Sequence, residues 1–106
     1  MKKIPFIPFQ RVHQDVKPEM LQAFERFYDS NSYILGQALL QFEQAYAQFN
    51  GVSHAIGTGN GHDALVIAMK CLGIGESDEV IVPAHTFVAT ALAVLNTGAV
   101  PVIADI

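Results

Sequence analysis

Apolar residues in the first half of the chain recur with the spacing of an α-helix. Residues 18–29 follow this pattern, and Pro18 at their start is tolerated in the first turn of a helix. Residues 39–49 repeat the pattern, and Gly51 just beyond them is a typical helix end. Residues 1–15 contain prolines and show no clear period. We therefore predict an extended arm followed by two amphipathic helices.

The second half of the chain alternates short apolar runs with glycine-bounded apolar helices. The predicted order is strand 54–57, helix 63–72, strand 79–83, helix 86–96 and strand 100–106. Strands that alternate with single helices pair in parallel through right-handed crossovers, with the helices packed over the sheet. The sequence thus predicts an α/β fold with the arm and two helices in residues 1–50 and a parallel βαβαβ unit in residues 51–106.

The composition indicates that much of the surface of the predicted helices and strands is covered. The chain has 106 residues, of which 51% are hydrophobic and only 15% charged, whereas soluble domains average about 25% charged residues. We expect the helices of the second half to be mostly buried. We also expect part of their cover to come from outside these residues.

Charge and hydropathy exclude two classes of partner. The net charge is −4, and the lysines and arginines are scattered, so we expect no binding to nucleic acid or to an anionic membrane.

The longest apolar run, residues 64–69, is far shorter than the ~20 residues of a membrane span. Lys2 and Lys3 are followed by Pro5 and Pro8 and not by the apolar core of a signal peptide, so we expect a cytoplasmic protein.

A glycine-rich loop lies between the first predicted strand and its helix. Residues 57–63 read GTGNGHD, and free backbone N–H groups at a helix start, with the helix dipole, favour an anion such as phosphate. A tight structural turn and another ligand stay open as alternatives. His62 and the absence of an acid at the end of the next strand depart from the dinucleotide fingerprint, and no Lys-Ser/Thr pair follows as in a Walker loop.

A second polar and aromatic segment, residues 84–90, follows the strand that ends at Pro83. Loops at the carboxyl ends of neighbouring parallel strands face one crevice, so we expect this segment to face the same ligand as the glycine-rich loop. Phe87 fits either a core position or a ring stacked on a planar cofactor. His85 fits a capping, core or catalytic role.

The ordered combination of these motifs resembles the DegT-type nucleotide-sugar aminotransferases, which are pyridoxal-phosphate (PLP) enzymes of fold type I. The matching runs, in order, are YILG at 33–36, NGHDAL at 60–65, LGIG at 72–75, DEVIVP at 78–83, TFVAT at 86–90 and GAVPV at 98–102. The resemblance covers essentially the whole chain. It implies the amino-terminal part of the large domain of a PLP-dependent transferase.

The resemblance also implies site residues. In that family, residues matching Asn60, Gly61 and His62 hold the cofactor phosphate, and an aromatic residue matching Phe87 stacks on the pyridine ring. The family often has Thr in place of His62, so a hydroxyl contact to phosphate is absent here and the backbone N–H remains. For substrate contacts the resemblance points to the turn with Tyr33 and Gly36 and, after the second strand, to His85.

The reaction implied is amino transfer from glutamate to a keto-deoxyhexose linked to a nucleotide, in a homodimer with its sites at the subunit interface. Position C3 of a dTDP-linked 6-deoxy-ketohexose is favoured, and C4 stays open. The lysine that holds the cofactor and the carboxylate that pairs with its ring nitrogen fall beyond residue 106 in the family, so we assign no catalytic residue and expect the 106-residue chain alone to be inactive. The alternatives are a PLP-dependent sugar dehydratase with His in place of that lysine, a Rossmann-like nucleotide-binding module, and a structural product without a ligand.

Overall fold

A computed structural model describes residues 4–106, with side chains for all of these except 11 and 12. The chain divides into two compact units, Met1–Ala55 and Ile56–Ile106. The first unit is helical. The second unit holds the sheet and is of the α/β class, as predicted.

In the first unit the structure contains helices α1 (Phe9–His13), α2 (Lys17–Asp29) and α3 (Gln37–Asn50). The two predicted helices are confirmed as α2 and α3, and α3 ends where Gly51 adopts a left-handed conformation with φ of 65°.

The prediction of a wholly extended arm is wrong for residues 9–13, which form α1; residues 1–3 lie outside the described part. The helix begins directly after Pro8, and the rings of Phe9 and His13 lie one turn apart with their centroids 5.5 Å from each other. The prolines therefore precede the helix and do not interrupt it.

The second unit contains α4 (Gly61–Cys71), β1 (Glu79–Pro83), α5 (Ala89–Leu95) and β2 (Val100–Ala104). Strands β1 and β2 pair in parallel, with Ile81 opposite Val102. The parallel α/β arrangement is confirmed, but the predicted strand at residues 54–57 is not formed. A strand exists only with a hydrogen-bonded neighbour, and in the described part of the chain β1 pairs with β2 in a sheet of two strands.

The core of the second unit lies between α5 and the two strands. Val82 of β1, Val94 of α5 and Ala99 before β2 are buried, and three partly buried residues pack against them, namely Met69, Ile74 and Val80. The expectation that α4 is mostly covered is wrong for the described residues, because α4 contains no buried residue. Helix α4 nevertheless contacts the core through Met69, which packs against it.

Across residues 4–106, none of the helices combines the length and the apolar character needed to cross a lipid bilayer.

Replacing a buried valine of the second unit should destabilise the protein more than replacing an exposed valine. Val94 is 2% exposed and Val52 is 53% exposed. Removing two methyl groups from Val94 with Val94→Ala should lower the free energy of unfolding by about 1.5–3 kcal/mol, from lost burial and the remaining cavity. Val52→Ala is the matched control and should change it by less than about 0.5 kcal/mol. Urea unfolding followed by circular dichroism measures both, and equal losses would contradict this core assignment.

Candidate functional site

The start of α4 is capped by Asn60. Its side-chain Oδ1 accepts a hydrogen bond from the backbone N–H of Asp63 at 2.9 Å, and its Nδ2 donates to Asp63 Oδ2 at 2.8 Å. The first turn of a helix has no internal acceptors for its N–H groups, so those of Gly61 and His62 are not used by the helix. The positive end of α4 therefore presents two backbone donors beside a capped third one.

The space in front of Gly61 is open. A Cβ built on Gly61 meets no atom within 4 Å, and its φ lies outside the left-handed region, so neither packing nor backbone conformation within the described residues requires glycine here. A ligand can therefore approach the backbone closely at this point. The donor set suits a phosphate, since charge-assisted bonds from backbone N–H groups and the helix dipole both favour a dianion.

Asp63 is the one carboxylate of this first turn, and its charge opposes a bound anion. Both of its oxygens have partners within the loop, however: Oδ2 accepts from Asn60, and Oδ1 lies 3.4 Å from His62 Nδ1. The carboxylate is thus held at the cap, where the positive end of the helix dipole also stabilises its negative charge.

The ring of His62 is directed towards α5. Its side chain is 28% exposed, and its Nε2 lies 3.2 Å from Nδ2 of Asn96, the residue that caps the end of α5. This contact joins two residues that are 34 positions apart in the sequence. Beyond the place of Asn96 at a predicted helix end, nothing in the sequence indicates this contact.

The second predicted segment lies directly after β1. Ala84 N–H donates to Ala104 O at 2.7 Å and continues the ladder by one residue, after which His85 and Phe87 are exposed. Phe87 is 78% exposed and is not part of the buried core of its unit. In the described residues Phe87 is therefore not a core residue, and its contact with a planar cofactor stays a prediction. Within residues 4–106, neither His85 nor Phe87 makes a hydrogen bond or ring contact with residues 60–62.

Tyr33 and Gly36 belong to a tight turn of the first unit. The Tyr33 hydroxyl donates to Tyr28 O at 2.8 Å, and a Cβ on Gly36 would lie only 2.6 Å from Ser32 O, so both residues hold the turn itself. Leu35 has a positive φ of 49°, and it is 82% exposed. The predicted substrate role of Tyr33 and Gly36 stays a prediction.

Comparison with known proteins identifies related chains. A family model described as the DegT/DnrJ/EryC1/StrS aminotransferase family matches residues 14–106. A dTDP-3-amino-3,4,6-trideoxy-alpha-D-glucose transaminase from Streptomyces venezuelae is 43% identical over 94% of this chain and 26% of its own length. A UDP-N-acetyl-3-dehydro-alpha-D-glucosamine 3-aminotransferase from Acidithiobacillus ferrooxidans is 41% identical over 97% of this chain and 28% of its own length.

Solved structures give the same relationship. The crystal structure of DesV from S. venezuelae superposes with a TM-score of 0.89 and 41% identity, over 99% of this chain and 28% of DesV. NtdA from Bacillus subtilis, with bound cofactor PMP, superposes with a TM-score of 0.88 and 34% identity, over 100% of this chain and 25% of NtdA. The chain thus spans about a quarter of the length of the relatives that it matches.

Proposed function

The chain belongs to the DegT/DnrJ/EryC1/StrS aminotransferase family, and on this premise we propose that it builds the phosphate-binding part of a PLP site in a nucleotide-sugar aminotransferase. The cofactor follows from the family and from a structural relative that binds PMP. The substrate class follows from relatives named as transaminases of dTDP- and UDP-linked sugars.

The observation that carries this proposal is the open start of α4. The N–H groups of Gly61 and His62 have no acceptor within the helix, and the space in front of Gly61 is empty to 4 Å. In our proposal these two N–H groups donate to the cofactor phosphate, and the Asn60 cap keeps the first turn rigid around them. In this proposal the helix dipole and the backbone N–H groups supply the chain's electrostatic attraction for the phosphate.

Phe87 is proposed to cover one face of the cofactor ring. A ring that is 78% exposed in the described residues has apolar surface available for stacking, and its place after β1 is where ligands bind in parallel sheets. When bound, PLP supplies an electron-withdrawing ring that takes up the electrons of a bond broken at the substrate carbon. Phe87 would orient that ring and exclude water from one face, without moving a proton itself.

The finer features of the reaction are proposed from the family resemblance. The amino donor is glutamate, and the acceptor is a keto-deoxyhexose linked to a nucleotide, with C3 of a dTDP-linked sugar favoured by the motif at residues 59–65. Tyr33, Gly36 and His85 are proposed to contact the substrate. A homodimer is proposed as the assembly, and the many exposed apolar side chains of the described residues support cover by further polypeptide.

Gly61 tests the phosphate contact. Gly61→Val places a branched side chain in the open space where the phosphate would approach, while the absence of any atom within 4 Å means that folding should be retained. Loss of one hydrogen bond to a charged group predicts an affinity for PLP about tenfold to a hundredfold lower. Ala68→Val, which adds the same side chain at an exposed position of the same helix, is the control. Titration by PLP absorbance measures both, and unchanged affinity in Gly61→Val would refute the assignment.

Phe87 tests the stacking contact. Phe87→Leu keeps apolar bulk but removes the aromatic face, so PLP binding should weaken by about 1 kcal/mol while the melting temperature changes little. Phe49→Leu is a matched control, because Phe49 is 86% exposed and lies in the first unit. Parallel PLP titrations and thermal unfolding compare the variants. A lower melting temperature with normal PLP binding would return Phe87 to a purely structural role.

The 106-residue chain by itself is predicted to perform no transamination. Amino transfer on PLP needs a lysine that holds the cofactor and moves a proton, and by resemblance none of the chain's lysines matches that position. Lys70 lies in the last turn of α4, nine residues and about 14 Å along the axis from Gly61.

The experiment incubates purified residues 1–106 with PLP, glutamate and a keto-sugar nucleotide, then assays for amino sugar and for a borohydride-fixed pyridoxyl group. The S. venezuelae transaminase run in parallel is the positive control. Weak reversible PLP binding without turnover is the expected result. Turnover together with a pyridoxyl-lysine mapped within residues 1–106 would show that the catalytic lysine lies in this chain.

A further inference from the structure

We propose that His62 is a positioning residue whose ring ties the phosphate-binding start of α4 to the end of α5 through Asn96 and does not itself contact the phosphate. This inference rests on the proposed function, since it concerns how the phosphate donors are held. It reassigns the side chain of His62 while leaving its backbone N–H as a phosphate donor.

The hydrogen bond between the two side chains fixes the form of the ring. Nδ2 of Asn96 is a donor only, so His62 Nε2, 3.2 Å away, accepts and carries no proton. The proton of the neutral ring is then on Nδ1, which lies 3.4 Å from Asp63 Oδ1. Both ring nitrogens therefore face groups of the protein. A ring with both nitrogens occupied offers no free donor to a phosphate.

Asn96 is itself held by the core of its unit. Its backbone N–H donates to Leu92 O at 2.9 Å and so ends α5, and the next residue, Thr97, donates from its hydroxyl to the carbonyl of buried Val94 at 2.7 Å. Val94 packs with Val82 of β1 and with Ala99, and this fixes the end of α5 against the sheet. The His62 contact extends this fixed point to the first turn of α4.

The network continues from His62 to the loop. Asp63, beside the ring, accepts from Asn60 Nδ2 and donates its own N–H to Asn60 Oδ1. The cap by itself sets the conformation of the first turn, and the His62–Asn96 contact sets where that turn lies relative to α5. Because phosphate affinity depends on the direction of the Gly61 and His62 N–H groups, an untied helix start should bind phosphate less well even with its cap intact.

A double-mutant cycle separates positioning from direct contact. His62→Ala and Asn96→Ala should each lower the affinity for PLP by about three- to tenfold, as expected for one lost hydrogen bond. The double variant should lose no more than either single variant, because both act through one contact. Asn50→Ala is the matched control and should bind normally, because the Asn50 amide donates to Tyr46 O within the first unit.

A phosphate-free ligand keeps this inference distinct from the proposed function. Pyridoxal, which lacks the phosphate, is titrated beside PLP: if the wild-type protein does not prefer PLP, the proposed function fails. If it does prefer PLP but the His62→Ala and Asn96→Ala losses add, or Asn96→Ala has none, His62 contacts the phosphate directly and the positioning role is overturned. Circular dichroism of each variant confirms that the helices are retained.

A spectroscopic measurement decides the contact without any variant. Long-range ¹⁵N–¹H NMR of the histidine rings in the wild-type protein at neutral pH should show His62 Nε2 without a proton and Nδ1 with one. A proton on His62 Nε2 would overturn the hydrogen bond from Asn96 on which the proposal depends, whatever the variants show.

Discussion

The first turn of an α-helix cannot satisfy its own N–H groups, and the second unit of this chain is organised around one such turn. Asn60 satisfies the N–H of Asp63 and leaves those of Gly61 and His62 directed away from the helix body. Water can accept hydrogen bonds from this exposed pair of donors. An anion binds them more strongly, because its charge is also attracted by the positive end of the helix dipole. Glycine at the first helical position keeps that end open, because no side chain covers the donors.

Local sequence signals predicted the elements that depend on local interactions. The bounds of α2, α3 and β1 follow the predicted ones closely, because proline near a helix start, glycine after a helix end and a short apolar run each act within a few residues. The predicted strand at 54–57 failed for the opposite reason: pairing is non-local, and β1 takes β2 as its neighbour. Helix α1 at 9–13 was not predicted, because its Phe9–His13 contact is a single pair in a segment without a repeating period.

The candidate site shows the same division. The glycine-rich loop and its helix were visible in the sequence, since backbone donors at a helix start need only a glycine-rich loop followed by a helix. The partner of His62 was not visible, because Asn96 is 34 positions away and only the packing of α5 brings it near. The sequence also left Phe87 open between a core position and a ring stacked on a cofactor, and in the described residues its ring is exposed. Whether the ring meets a cofactor stays a prediction.

Helix α4 holds the glycine-rich loop in place although none of its side chains is buried, contrary to what the composition suggested. Met69 packs against the core formed by Val82, Val94 and Ala99, and the residues that follow bring Ile74 against it as well. The opposite end of the helix is held by the polar contact of His62 with Asn96. A helix of this length fixed at both ends has little freedom to turn about its axis. The direction of its first N–H groups is therefore set within residues 61–99, even though the outer apolar face of α4, with Ile67 half exposed, is left for another surface to cover.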